Sequence, residues 1–248
     1  LFLTDDSPAV AAEAIRAVCD LDLSDAEQEV AALLDDPSRW RKDRMMMRRL
    51  LHHAFRLGGV GNFKRILAVA ADVDQSADAR NEALRLVSLW RKPPDADQFT
   101  GHWEPLPERD TKDILPVLRE LMPQLLQDQG TVLAAALRLL EVYQLGADIL
   151  ADQDLAAMAS NGGLPAAARS AALTLLVKRN PASLQETIIS LAGDPSDEIA
   201  LFTLRALYQL APDQALRPLI AAIDPGRPAL ARSAWSLLAK SPAPEVEA

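Results

Sequence analysis

Apolar residues recur along this chain at intervals of three and four positions, which is the spacing of one face of an α-helix. In most of these apolar stretches an Ala directly precedes one large apolar residue. A Val or Leu then lies three positions after that large residue. We call the large residues anchors, and they are Ile15, Leu51, Leu84, Leu137, Leu173, Leu204 and Trp235. Stripes of this kind face a hydrophobic core, so we expect every anchor to be buried.

The anchors repeat with a regular period. Successive anchors are 36, 33, 53, 36, 31 and 31 residues apart, and periods of this length are typical of solenoids built from helix pairs. Residues 1–17 also align without gaps with residues 190–206, so the two ends of the chain share one unit. In the second repeat Met47 is an alternative anchor to Leu51, because Leu50 stands where most repeats carry Ala.

Gly and Pro interrupt the apolar stretches at the positions where helices are expected to end. The second helices of the pairs are predicted at residues 8–19, 38–57, 76–91, 129–145, 164–179, 196–210 and 227–240. The first helices are predicted near residues 25–35, 60–72, 111–127, 147–160, 182–192 and 212–223. We therefore predict an all-α fold, an α-solenoid of about seven HEAT-like helix pairs over residues 1–240.

The two ends of the chain depart from this pattern. Residues 1–3 match only the last turn of a first helix, so the first pair is truncated. A solenoid normally begins with a polar capping repeat, so we expect the chain to be part of a longer protein. Residues 241–248 are rich in Pro and Glu, which predicts a linker or a disordered tail.

The 53-residue interval between the anchors Leu84 and Leu137 contains an insertion at residues 93–110. From Trp90 to Asp110 the chain reads W-x-K-P-P-x-x-D-x-x-x-G-x-W-x-P-L-P-x-R-D. This string resembles the HEAT-repeat region of large planctomycete and verrucomicrobial proteins that join a sugar-dehydrogenase-like β-propeller to a c-type cytochrome domain. The resemblance implies an exported or periplasmic redox protein, in which this segment spaces or docks the catalytic and electron-transfer parts. The segment has no CxxCH haem motif, so no cofactor is expected here.

The insertion is predicted to be ordered and to fold back on the helices. Its four prolines lower the entropy cost of fixing an extended path. Phe99, Trp103 and Leu106 contribute roughly 1.5–3 kcal/mol each if they are fully buried. We expect Trp103 to anchor the segment.

Composition narrows the range of functions. The chain has 26 Lys and Arg against 35 Asp and Glu, and its net charge of −9 has the wrong sign for coating a phosphate backbone. The alternative function, a HEAT-like DNA glycosylase, requires Lys and Arg on several successive helices, whereas here they concentrate in one. No run of 18 apolar residues is present, so no membrane span is predicted.

The cations are concentrated in residues 39–56, which carry a charge of +6 against −15 for the rest of the chain. One interpretation is a docking face for an acidic partner or a phosphate group. The other is a solvated helix face whose charges are balanced by acidic neighbours, such as Asp25, Glu27, Glu29, Asp35 and Asp36. The candidate partner-binding residues are Arg41, Arg44, Arg48, Arg49, His52 and Trp103.

Catalytic and metal sites are not predicted. His52 and His53 are adjacent, so on a helix they point about 100° apart, and no Cys, Asp or Glu lies one turn away to complete a metal site. Cys19 is the only cysteine and has no His nearby in the sequence, which argues against a catalytic thiol. The leading hypothesis is a non-catalytic scaffold or protein-interaction module that binds flanking domains of its own protein or a separate acidic partner.

Overall fold

The computed structural model describes residues 2–21 and 23–240, and most of these residues are in α-helices. No strand occurs among them, and their β-type pairing is confined to an isolated bridge between Ala96 and Trp103. The prediction of an all-α fold is confirmed. The predicted tail, residues 241–248, lies outside the described residues.

The helices begin and end close to the predicted positions. They are α1 (Pro8–Asp20), α2 (Glu27–Ala32), α3 (Arg44–Leu57), α4 (Gly59–Ala71), α5 (Ala77–Ser88), α6 (Leu115–Leu125), α7 (Thr131–Val142), α8 (Asp152–Ser160), α9 (Ala166–Arg179), α10 (Leu184–Leu191), α11 (Asp197–Leu210), α12 (Pro212–Ala221) and α13 (Pro228–Leu238). The largest difference concerns the helix predicted from residue 38. Pro37–Trp40 form a 3-10 turn, and α3 starts only after Asp43, whose carboxylate caps it by accepting a 2.9 Å hydrogen bond from the Met46 N–H.

Contacts between helices divide the chain into two compact units, Leu1–Leu145 and Gly146–Ala248. In the first unit α3, α5 and α7 pack in succession as one layer, and α2, α4 and α6 form a second layer. In the second unit α9, α11 and α13 pack in succession, and α8 packs on α10. Each unit is therefore solenoid-like, because neighbouring helix pairs cover each other's apolar faces. The number of repeats and a single array over residues 1–240 stay predictions.

The anchors form the centre of each unit's core, with one exception. Six of them are at most 1% exposed, namely Ile15, Leu51, Leu84, Leu137, Leu173 and Leu204. Trp235 is 56% exposed, so the prediction for this residue is wrong. The buried stripe of α13 runs through Leu230, Ala234 and Leu238, and α13 packs on α11 and α12. Ala234 therefore takes the inward position and its neighbour Trp235 is left on the outer side.

The turns that lead into the second helices share one structure, which the sequence analysis missed. In each of them an Asp or Asn side-chain oxygen accepts a hydrogen bond from the backbone N–H two residues later, at 2.7–3.2 Å. The residues are Asp5, Asp36, Asp72, Asp128, Asn161, Asp194 and Asp224. Side chains of this type stabilise tight turns by replacing a backbone hydrogen bond, so each one shapes the turn that leads toward the next second helix.

A buried arginine connects one of these turns to the preceding helix pair. Arg169 on α9 donates from Nε to the Ala159 carbonyl at 2.8 Å, and its guanidinium pairs with Asp194 in the turn after α10. Burial opposes the ionisation of Asp194. Hydrogen bonds from Arg169 and the Ser196 N–H outweigh that effect and hold the pKa of Asp194 below its ordinary value.

The first unit contains related connections. Arg80 on α5 donates to the Ala70 carbonyl and to Asp128, both at 2.8 Å. Arg41 contacts Asp72 at 3.2 Å. In each case an arginine of one helix pair binds the aspartate turn of the next pair, so these contacts fix the position of successive pairs within a unit.

Truncation of Leu173 to Ala is expected to lower the free energy of unfolding by roughly 2–5 kcal/mol, because it leaves a cavity in a packed interior. Leu210→Ala is the control, since Leu210 is 49% exposed at the end of α11 and its truncation should cost less than about 0.5 kcal/mol. Urea unfolding followed by far-UV circular dichroism measures both variants. An equal effect of the two substitutions would show that the anchor register is wrong.

Asp194→Asn is expected to destabilise the protein by roughly 3–5 kcal/mol at pH 7, because it leaves the buried Arg169 without its counter-charge. The folded-state pKa of Asp194 is depressed, so its ionisation stabilises the fold above the ordinary pKa of about 3.9, and this contribution is lost as the pH falls through the folded-state value.

The difference in unfolding free energy between the wild type and Asp194→Asn should therefore be largest at neutral pH and shrink below about pH 4. Asp213→Asn, at an exposed position of α12, is the control and should change the unfolding free energy by less than about 0.5 kcal/mol. A difference that stays constant from pH 7 to about pH 3 would contradict the role of the ion pair.

Candidate functional site

Most cations of the basic stretch pair with carboxylates that lie farther along the chain. Three pairs face the α4–α5 hairpin, namely Arg41–Asp72, Arg44–Asp78 and Arg48–Glu82, with N–O distances of 3.2, 3.5 and 3.3 Å. The acidic residues nearest in sequence have other roles, since Asp35 pairs with Arg65 at 3.0 Å and Asp36 caps its own turn. Arg41, Arg44 and Arg48 are thus paired within the fold, with carboxylates other than the acidic neighbours named from the sequence.

Glu82 is the centre of the contacts between α3 and α5. Its carboxylate lies 2.6 Å from His52 Nε2 and accepts a hydrogen bond from Arg85 at 2.7 Å. Burial opposes the ionisation of Glu82, but the hydrogen bonds from His52 and Arg85 outweigh it, so the pKa of Glu82 lies well below its ordinary range. His52 is therefore a buried contact of α3 with α5.

The other side of α3 holds α1 and the insertion. Arg49 pairs with Asp20 at the end of α1. Arg56 bridges two residues of the insertion, Asp97 at 3.2 Å and Glu104 at 2.6 Å. Arginines of α3 thus hold both the next helix pair and the insertion, and Arg48 contacts both, since it pairs with Glu82 and donates to the Gln98 carbonyl at 3.3 Å.

Asp97 organises the start of the insertion. It is 6% exposed, and its Oδ1 accepts hydrogen bonds from the N–H groups of Phe99 and Thr100 at 2.6 and 2.7 Å. Its own N–H donates to the His102 carbonyl at 2.8 Å. Burial opposes ionisation, but these N–H groups and the Arg56 guanidinium lower the pKa of Asp97. The carboxylate therefore stays charged and the turn stays closed at neutral pH.

Phe99 packs among polar side chains of α3. The guanidinium carbons of Arg49 and Arg48 lie 4.6 and 5.8 Å from the centre of its ring, and the His52 ring centre lies 5.9 Å away. Cation–π contacts of this kind are attractive at such distances. The aromatic ring thus ties the middle of the insertion to α3.

Arg109 holds the end of the insertion. Its guanidinium lies 4.9 Å from the ring centre of Phe55 and 4.6 Å from that of Trp90, and Nη2 donates to the Arg56 carbonyl at 3.1 Å. Gly58 lies directly beside it with φ of +70°, and a Cβ there would come within 3.2 Å of Arg109 Nε. The close approach and the left-handed backbone together require glycine at this position.

The prediction that Trp103 anchors the insertion is wrong. The Trp103 side chain is 74% exposed, although its backbone forms the bridge with Ala96. The segment lies against α3 because Asp97, Phe99 and Arg109 hold it, so burial of a further aromatic ring is not required. Sequence reasoning named Phe99 but missed Asp97 and Arg109. The signal was present, because Asp97 and Arg109 are two of the four charged positions fixed in the string from Trp90 to Asp110.

A cleft of about 900 Å³ opens among α1, α2, α3 and the insertion, all within the first unit. Its lining includes Cys19, Asp20, Glu27, Arg49, His52, His53, Arg56, Asp97, Phe99, His102, Trp103, Glu104 and Leu106. Three of the predicted partner-binding residues, Arg49, His52 and Trp103, meet here. Arg44 and Arg48 line a separate groove of about 540 Å³ between α3 and α5.

The cleft is lined by polar side chains, and neither its thiol, Cys19, nor the imidazole of His53 is ionised at neutral pH. Burial raises the pKa of the Cys19 thiol to about 11, so the thiol is protonated. Burial lowers the pKa of His53, whose Nε2 lies 3.0 Å from the Glu27 carbonyl oxygen, so this imidazole is neutral. Among the described residues no group of three or more His, Cys, Asp or Glu side chains is arranged to hold a metal ion.

The length of the helices and the comparison with known proteins each give one further result. Within the described part of the chain, no helix combines the length and the apolar character required to cross a bilayer. No protein-family model matches the chain, and no curated protein or solved structure matches it either.

Asp97→Ala is expected to release the insertion from α3. The substitution removes the acceptor of two backbone N–H groups and a partner of Arg56, a loss of roughly 1–3 kcal/mol of local stability. Limited proteolysis near Gly101 and amide hydrogen exchange over residues 97–102 should both accelerate by at least about fivefold. The exposed Asp95→Ala serves as the control, and equal protection in the two variants would contradict the role given to Asp97.

Proposed function

We propose that this chain is a protein-interaction module and that the cleft of the first unit, with Trp103 at its edge, is the binding surface. The observation that supports this proposal is the combination of a firmly held insertion and a 74% exposed tryptophan on it. Large aromatic residues dominate the energy of protein interfaces. A tryptophan left in water by a segment that is otherwise well bonded is therefore the best candidate for a contact with another molecule.

The bonds that hold the insertion also favour binding. Contacts through Asp97, Phe99 and Arg109 restrict the segment before any partner arrives. Ordering a loop on association costs free energy, and a loop that is already ordered avoids that cost. The cleft beside Trp103 is large enough for several side chains of a partner, at about 900 Å³.

The arginine-rich side of α3 is a weaker candidate for the same role. Arg41, Arg44 and Arg48 are each paired with a carboxylate of the same chain. An acidic partner or a nucleic acid that binds these arginines has to replace those pairs, which reduces its gain. We therefore place the binding surface at the cleft and not at the cationic face that the sequence predicts.

The resemblance to propeller and cytochrome proteins stays a prediction, as does the assignment to HEAT repeats. Under that prediction the partner is a flanking domain of the same protein, and the segment works as a scaffold without a cofactor of its own. The proposed cleft is compatible with a partner in the same chain or in a separate one, because either presents a polypeptide surface.

The proposal is tested by selecting binders from a display library of random peptides against the whole chain. Synthetic versions of the selected peptides are then measured by fluorescence polarisation. Trp103→Ala should weaken binding by at least about 10-fold, while Trp235→Ala, which removes an exposed tryptophan of the second unit, should leave it unchanged. Peptides that bind Trp103→Ala as tightly as the wild type would contradict the proposal.

A further inference from the structure

The cleft beside Trp103 carries more negative than positive charge. Its lining holds four carboxylates, Asp20, Glu27, Asp97 and Glu104, against two guanidinium groups, so its net charge is −2 with the histidines counted as neutral. Burial lowers the pKa of His53, which agrees with counting this histidine as neutral. The charge of the cleft is thus opposite to that of the stretch 39–56 on which it is built.

Both cations of the cleft are already engaged. Arg49 pairs with Asp20, and Arg56 pairs with Asp97 and Glu104. Glu27 has no ion-pair partner among the described residues. The carboxylates therefore outnumber the internal cations, and the side chains of Asp20 and Glu104 remain 47% and 57% exposed at the surface.

The ring of Trp103 differs from four other aromatic rings of this unit, on which arginines stack. Arg39 lies over Trp40, Arg109 over Phe55 and Trp90, and Arg49 over Phe99. Within the described residues no cation stacks on Trp103, whose side chain is exposed and which is followed in the chain by Glu104, another residue of the cleft lining. Tryptophan is the aromatic side chain that attracts cations most strongly. An uncovered indole on a cleft lined by carboxylates is a suitable place for an ammonium or guanidinium group from another molecule.

We propose that the cleft binds a cationic polypeptide segment, in which a Lys or Arg lies on the face of Trp103 next to Glu104 while an apolar neighbour contacts Leu106. This inference rests on the proposed function and adds the chemistry of the partner. Charge complementarity supports it, since an acidic segment would meet a surface of its own sign. The apolar side chains at the edge of the cleft should provide the part of the binding free energy that does not depend on charge.

The same peptide selection tests this inference. Selected sequences should be enriched in Lys or Arg at a fixed distance from an apolar residue. Replacing that Lys or Arg by Gln in a synthetic peptide should weaken binding by about 10-fold, and binding should also weaken as the salt concentration rises from roughly 0.05 to 0.3 M. Enrichment of Asp and Glu, or affinities that do not change with salt, would overturn the inference.

Variants of the protein give an independent readout. Glu27→Gln and Glu104→Gln should each weaken binding of the cationic peptide by about threefold to tenfold, whereas Glu186→Gln, at an exposed position of α10, should have no effect. Glu27→Gln leaves the Arg56 bridge intact, so its effect does not depend on loosening of the insertion. If neither substitution changes the affinity, the charge inference is wrong.

The results also separate the two proposals. Peptides that require Trp103 but carry no cation contradict the inference about charge and leave the interaction function supported. A selection that yields no peptide dependent on Trp103 contradicts both.

Discussion

The arrangement of helix pairs in each unit depends on ion pairs between an arginine of one pair and the aspartate turn of the next. Arg169 with Asp194 is the most buried of these contacts, at 4% and 8% exposure. A buried ion pair gains little net free energy over an apolar pair, because both charges lose their water. Its geometry is demanding, however, since the guanidinium must reach the turn carboxylate and the carbonyl of its own helix pair together. We infer that it fixes the register in which apolar faces meet.

The aspartate serves two structures at once. One oxygen of Asp194 accepts the Ser196 N–H and so shapes the turn, while the carboxylate also receives the guanidinium of Arg169. A charged acceptor with several lone pairs is needed to do both. Asparagine suffices where only the turn is required, as at Asn161, whose side chain accepts the Gly163 N–H at 2.9 Å. A single aspartate side chain therefore determines both the geometry of its turn and the contact with the neighbouring helix pair.

The same use of arginine explains the candidate site. Arg49 and Arg56 hold α1 and the insertion by charge and by cation–π contacts, where an apolar loop would be held by burying its aromatic residues. Arginine suits this role because its planar group stacks on a ring and pairs with a carboxylate at the same time. The insertion is consequently fixed without Trp103, which is left exposed beside a cleft of net negative charge. The exposure of Trp103 and the net negative charge of the cleft, on which the proposed binding rests, thus follow from the contacts that hold the insertion.

The sequence by itself determined the all-α fold, the positions of the helices and the burial of six anchors, from Ile15 to Leu204, because helix periodicity and helix ends are local properties. Only the tertiary structure decided the partners of the basic stretch, the exposure of Trp235 and the exposure of Trp103. Arg48 meets Glu82 and Arg56 meets Asp97 across separations of more than 30 residues, and no local pattern specifies such pairs. Whether a tryptophan is buried depends on which residues pack around it. On α13 the neighbouring Ala234 takes the inward position, and the insertion is held through Asp97, Phe99 and Arg109 instead of Trp103.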